Sequence, residues 1–229
     1  KMIDFFEFFK HMSVDKLTSI KNEIQLKIQN SNILNLKPTI IAVSKTYPIN
    51  IIMPLIEHGH MHYGENKVQE AIDKWTNIKA KHKEIVLHLI GKLQTNKVKS
   101  AIKIFDYIHS LDNEKLAKKI ANEQVKQNKN IKIFIQVNIG GESQKSGINK
   151  INITNFYNYC KTLNLNVIGI MCIPPKDGLS KNYFIEMNRI NKELGLTDLS
   201  MGMSNDYLEA IHNNATFLRI GSKIFGERF

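Results

Sequence analysis

A chain of 229 residues with 42% hydrophobic content, much of it Ile, Leu and Val, can bury a large core, which excludes a disordered polypeptide. Its formal net charge of +11 raises nucleic acid as a partner, but the excess is lysine spread over many segments. The clustered Arg and interleaved aromatics of a nucleic-acid groove are missing, so no specific nucleic acid is expected.

The opening Lys1–Phe9 is aromatic, but Asp4 and Glu7 interrupt it before a signal-peptide core forms, and it reads as a packing extension. No apolar run approaches a transmembrane helix, so no membrane partner is expected. From Val14 apolar residues recur at helical spacing, with Leu17, Ile20, Ile24 and Ile28 on one stripe, which predicts a leading helix over about 14–30. After Pro38 the period changes. Thr39–Val43 is a short apolar run of the kind that forms a strand covered on both faces.

The same alternation then repeats. Strands are predicted at His62–Gly64, Val86–Ile90, Tyr107–His109, Ile131–Ile139, Val167–Ile173, Leu199–Met203 and Phe217–Gly221. Helical stretches lie between them, among them Lys67–Ile78, Asn113–Gln127, Ile153–Leu163 and Asn205–His212. About eight strand–helix repeats in an α/β chain imply a parallel sheet with right-handed crossovers, closed as a (β/α)8 TIM barrel. No linker or low-complexity stretch divides the chain, so residues 1–229 are expected to be one domain, with the barrel over about 39–229, and a monomer. Cys160 and Cys172 sit in apolar segments, as buried thiols of a cytoplasmic protein would.

Ligands of such barrels sit at the carboxyl ends of the strands. That rule selects Ser44-Lys45, Glu65-Asn66, Gly91, Ser110, Asn138, Pro174-Pro175, Ser204 and Gly221-Ser222. Lys45 follows a buried strand directly, where neighbours desolvate it and make a free amine available to attack an aldehyde, the attachment used by pyridoxal 5′-phosphate (PLP). On local sequence alone a surface lysine before Pro48 is the commoner reading. The end of the last strand, Arg219-Ile220-Gly221-Ser222, supplies a fixed cation, a backbone open to an anion and a hydroxyl, and Ser204 ends the neighbouring strand. Together these fit a phosphorylated aldehyde; a Schiff-base aldolase would use the same two features.

Several ordered motifs add a resemblance. They include Ala42-Val43-Ser44-Lys45-Thr46, Gly64-Glu65-Asn66-Lys67-Val68-Gln69-Glu70, His88-Leu89-Ile90-Gly91-Lys92-Leu93-Gln94-Thr95-Asn96-Lys97, Leu199-Ser200-Met201-Gly202-Met203-Ser204 and Arg219-Ile220-Gly221-Ser222-Lys223-Ile224-Phe225-Gly226. From about Ile40 onward the chain resembles the PLP-homeostasis (YggS/PROSC) family, whose fold matches the barrel domain of alanine racemase. The resemblance implies that Lys45 forms the Schiff base, that Arg219, Gly221, Ser222 and Ser204 surround the phosphate and ring, and that Asn66 lies near the ring. Arg219 is left between the pyridine nitrogen and the phosphate. Some relatives carry a lysine where Tyr47 stands. The implied role is a non-enzymatic carrier and buffer of PLP that serves apo PLP-dependent enzymes and releases the cofactor by transimination or hydrolysis. The alternative is a small amino-acid racemase. Alanine racemase, however, takes one of its two bases from a second domain, and the sequence ends at Phe229, where that domain is expected to be missing.

His58, His60 and His62 alternate but have no partner spacing that completes a zinc site, so no metal is expected and they read as surface or strand-end residues. His88 is expected to point into the barrel as a satisfied core histidine. Gln94, Asn96 and Lys97 read equally as a helix start or as a polar rim over the cofactor. Lys145-Ser146-Gly147 reads as a solvated loop, and Met171, Met201 and Met203 as inward packing beside the ring.

Overall fold

A computed structural model gives the architecture; it describes residues 5–226, with side chains from residue 12 onward. The aromatic side chains of the opening segment and the last residues of the expected barrel, 227–229, lie outside the described residues.

The leading helix α1 (Phe5–Asn30) starts well before residue 14. Its buried stripe of Leu17, Ile20, Ile24 and Ile28 is the one the spacing predicts, but no Gly or Pro interrupts the earlier residues, so the helix runs on through them. Strands and helices then alternate. The order is β1 (Thr39–Val43), α2 (Ile49–Glu57), β2 (His62–Glu65), α3 (Val68–Lys81), β3 (Val86–Leu89), α4 (Val98–Ile104), β4 (Tyr107–Leu111) and α5 (Glu114–Gln127). It continues with β5 (Lys132–Asn138), β6 (Ile148–Asn149), α6 (Ile153–Thr162), β7 (Val167–Cys172), α7 (Ser180–Glu193), β8 (Asp198–Met203), α8 (Tyr207–His212), β9 (Phe217–Ile220) and α9 (Ser222–Phe225).

Eight parallel strands close into a barrel in the order β4-β3-β2-β1-β9-β8-β7-β5, with β5 returning to β4. The two-residue β6 extends the end of β5 and is too short to leave a periodic signal in the sequence. β1 pairs with β2 on one side and β9 on the other, and β9 pairs with β8, which brings the ends of β1, β8 and β9 together.

Alternation along each strand sorts the core into two layers. Outward residues such as Ile40, Ala42, Leu87 and Leu89 pack under the helices, while Ile41, Tyr107, Phe134, Met171 and Phe217 fill the barrel. Met171 therefore packs inward as expected, whereas Met201 joins the outer layer, because the pleat of β8 turns Ser200 inward instead. No helix among the described residues is long and apolar enough to cross a membrane.

Candidate functional site

Lys45 stands two residues past the end of β1 and is half-buried. The backbone on both sides of it is clamped. Ser44 donates its hydroxyl to Glu65 Oε1 at 2.7 Å, and Glu70 Oε1 accepts the Thr46 N–H at 2.8 Å. Lys74 ties the two carboxylates together, lying 3.0 Å from Glu65 Oε1 and 3.2 Å from Glu70 Oε1, and also donates to the Ser44 carbonyl at 3.0 Å. Burial works against the charge of Glu70, but the Thr46 N–H and Lys74 hold its pKa below the usual carboxylate value. Thr46 needs this support: its φ of +68° is left-handed, a conformation that costs a non-glycine residue about 1–2 kcal/mol. Tyr47 is buried and donates its hydroxyl to the Gly226 carbonyl at 2.7 Å, so it braces the turn that follows α9.

The ends of β8 and β9 meet beside this turn. Ser204 Oγ receives the Gly221 N–H at 3.4 Å, the Lys223 N–H at 3.4 Å and the Ser222 hydroxyl at 3.2 Å. Two backbone donors and two hydroxyls thus converge on one point, the donor set an oxyanion or phosphate requires. Gly221 lies against β1: a Cβ there would stand 3.3 Å from Val43 Cβ. Ser204, Gly221 and Ser222 are brought together as the sequence predicts.

Arg219 points into the barrel and is buried. Its Nη1 donates to Ser200 Oγ at 2.7 Å and its Nη2 to the Cys172 carbonyl at 2.7 Å. Among the described residues no carboxylate pairs with it and its other three N–H bonds meet no protein acceptor. Burial lowers its pKa, and the more distant charge of Asp206 offsets this only in part. Asn66 follows β2, and its Oδ1 is buried without a hydrogen-bond partner. The chain packs tightly here, since a Cβ on Gly91 would come within 2.4 Å of the Asn66 carbonyl.

Other expectations resolve differently. Ser110 lies inside β4, buried, and not in a loop at its end. Asn138 closes its own turn, donating to the Glu142 carbonyl at 2.8 Å. Lys145 is half-buried and ion-paired with Glu142. Gln94, Asn96 and Lys97 are exposed around a 3-10 turn (Thr95–Lys97) that leads into α4, and no side chain caps it. His88 points inward as expected, but in contact with further histidines; His62 also turns inward to reach it.

The strand-end rule selects Glu65, whereas its clamp partners Glu70 and Lys74 carry no functional prediction from the sequence. Glu70 and Lys74 stand four apart on α3, a signal for an ion pair, but nothing in the sequence shows that both face the Lys45 turn.

The fold and these strand ends define a barrel of the alanine racemase N-terminal class, and the family model of that description matches residues 22–228. A pyridoxal phosphate homeostasis protein of Aquifex aeolicus is 38% identical over 199 residues, covering 82% of this chain and 86% of that one. PipY of Synechococcus elongatus PCC7942 has a similar structure at 30% identity, with a TM-score of 0.82 without PLP, covering 94% of this chain and all of that one. Its PLP-bound form gives 0.80 over 93% of this chain. The chain belongs to the pyridoxal phosphate homeostasis family.

Proposed function

We propose that this protein binds PLP at the ends of β1, β8 and β9 and carries and buffers it for apo PLP-dependent enzymes of the cytoplasm, without turnover of its own. The observation that carries the reading is one of placement. A half-buried lysine, held between two clamped residues, adjoins a point where backbone N–H groups and hydroxyls converge.

The residues fit the cofactor. Lys45 would hold its aldehyde carbon as a Schiff base, and Ser204, Gly221, Ser222 and the Lys223 N–H would take its phosphate. Asn66 Oδ1, orphaned and buried, and the unpaired N–H bonds of Arg219 are polar groups that a bound ligand would satisfy. When bound, PLP supplies an electrophilic carbonyl and an electron-withdrawing ring. The protein's part is to bind and orient. The clamp presents Lys45 at a fixed angle, the strand ends neutralise the phosphate, and Arg219 places a fixed positive charge below them.

Two features support a carrier over a catalyst, and a third supports the compartment. The name of the Aquifex relative is that of a homeostasis protein. The histidines inside the barrel bond to one another and to Ser200, so their protons are committed within that file. Cys160 and Cys172 are buried, unpaired thiols whose pKa values burial pushes up to about 12, which suits a reducing cytoplasm.

The test is borohydride reduction of the PLP-loaded protein followed by peptide mapping. A pyridoxyl label on Lys45 is expected, and a label elsewhere overturns the assignment. Turnover with any member of a broad amino-acid panel would overturn the carrier reading, as would failure to restore activity to an apo PLP enzyme.

A further inference from the structure

The interior of the barrel holds a continuous file of polar side chains. His62 Nδ1 lies 2.9 Å from His88 Nε2, His88 Nδ1 lies 2.9 Å from His109 Nε2, and His109 Nδ1 lies 2.8 Å from Ser200 Oγ. Arg219 Nη1 meets the same Ser200 Oγ at 2.7 Å. The file crosses from β2 through β3 and β4 to β8 and β9, and His88, His109 and Ser200 are completely buried. Tyr107, Phe134 and Phe217 surround it, with the His88 ring stacked on Tyr107 at 4.3 Å and the His109 ring stacked on Phe134 at 4.4 Å.

Proton counting gives the file one direction. A guanidinium N–H can only donate, so Ser200 Oγ accepts from Arg219 and has its own proton left to give. Among the described residues the only other polar partner of that oxygen is His109 Nδ1, so the buried hydroxyl proton is satisfied only when His109 Nδ1 accepts it. Burial holds His109 and His88 well below the ordinary histidine pKa, so both rings are neutral and each carries a single N–H. His109 then carries it on Nε2 and donates to His88 Nδ1, and His88 carries it on Nε2 and donates to His62 Nδ1. Arg219 thus sets the tautomer of all three rings, and their packing in turn fixes where its Nη1 can point.

We propose that Ser200, oriented by His109, is a positioning residue for Arg219: the head of a one-way hydrogen-bonded file, wedged between aromatic rings, holds the guanidinium with three N–H bonds turned to the ligand. This rests on the PLP-binding reading for its consequence, though not for its geometry. No proton needs to travel along the file, since a net shift would strip Arg219 of a proton. Its work is orientation. Arg219 pivots on a long flexible side chain, and only two hydrogen bonds hold its head group; Ser200 is one of the two acceptors.

The experiment combines 15N-edited NMR of the free protein with PLP titration, using Ser200→Ala, Ser200→Thr and His109→Asn. In the wild type His62, His88 and His109 all give the Nε2–H neutral tautomer, and Arg219 shows separate, slowly rotating Nη–H signals. In Ser200→Ala the Arg219 signals merge and PLP binds about tenfold more weakly, a loss near 1.4 kcal/mol. Ser200→Thr, which keeps the hydroxyl, restores both. His109→Asn keeps an acceptor for Ser200 at the position of Nδ1; it preserves the Arg219 signals while freeing the tautomer of His88, and decides the matter if Ser200→Ala does not fold. An Nδ1–H tautomer at His109 in the wild type overturns the proposal, and so do unchanged Arg219 signals in Ser200→Ala. A wild type that binds no PLP overturns the proposed function instead, while the NMR result still decides the file.

Discussion

Lys74 Nζ stands 3.0 Å from Glu65 Oε1, an ion pair between a fully buried carboxylate and a lysine only 10% exposed. The same oxygen also accepts from Ser44 and from the Trp75 indole N–H at 2.9 Å, so one atom ties α3 to the turn that carries Lys45. Removing one member of a buried pair leaves the other uncompensated, at a cost of about 3–5 kcal/mol. Glu65→Ala and Lys74→Met are each expected to lose that much in urea denaturation, and to lower the fraction of Lys45 labelled by PLP and borohydride. A loss below about 1 kcal/mol would mean that hydrogen bonds other than the pair hold the turn.

Trp75 is the sole tryptophan, completely buried, and its indole bonds to the carboxylate that holds Ser44. It is therefore a built-in reporter of the proposed site, close enough for its emission to be quenched by an absorbing ring attached at Lys45. Adding PLP is expected to lower tryptophan fluorescence, and removing it to restore the signal. Lys45→Ala should abolish most of the quenching at low PLP, while an unaltered response in that variant would place the cofactor elsewhere.

The barrel was legible because each strand is buried on both faces and reads as an apolar run, as Thr39–Val43 and Ile131–Ile139 do. The candidate site was legible where it follows from chain position: Lys45, Ser204 and Gly221 come directly after strands. What sequence could not supply was the contact between strands. His62, His88 and His109 lie far apart in the chain, and only register and barrel closure stack them in one file. The clamp at Glu65 and Lys74 is hidden for the same reason, since it depends on how α3 packs back on the barrel. Met201 faces the outer layer, against the inward expectation, because side chains alternate along β8 and Ser200 takes the inward face.

Gly202 has a φ of +88°, and a Cβ there would lie 2.6 Å from Ala210 Cβ, against α8. Gly202→Ala combines backbone strain with overpacking in the outer layer, an expected loss of about 2–4 kcal/mol. Gly141→Ala is the matched control, because Gly141 has a φ of +67° with nothing within 4 Å of the added Cβ, leaving strain alone at about 1–2 kcal/mol. Equal losses of thermal stability in the two variants would show that the contact with Ala210 relaxes freely.

The buried histidines also set how stability depends on pH. Burial lowers the pKa of His60 from 6.5 to about 4, and holds those of His88 and His109 well below the ordinary value. The unfolded chain protonates these rings near 6.5 while the folded protein keeps them neutral, so between those pKa values the unfolded state binds more protons. Stability is then full above about 6.5 and falls with acid, by up to about 1.4 kcal/mol per pH unit for each ring. Glu23 and Glu70, whose pKa values are lowered from 4.5, add their own losses only below that value, so the range from 6.5 to 4.5 belongs to the histidines. Urea denaturation in that range is expected to give a slope that exceeds one proton. His60→Gln should reduce the slope by up to one proton, because among the described residues its ring stands apart from the file and meets the His62 carbonyl at 2.9 Å. A flat profile from 6.5 to 4.5 would mean that the rings are charged or accessible in the folded state, and would remove the neutral tautomers on which the file depends.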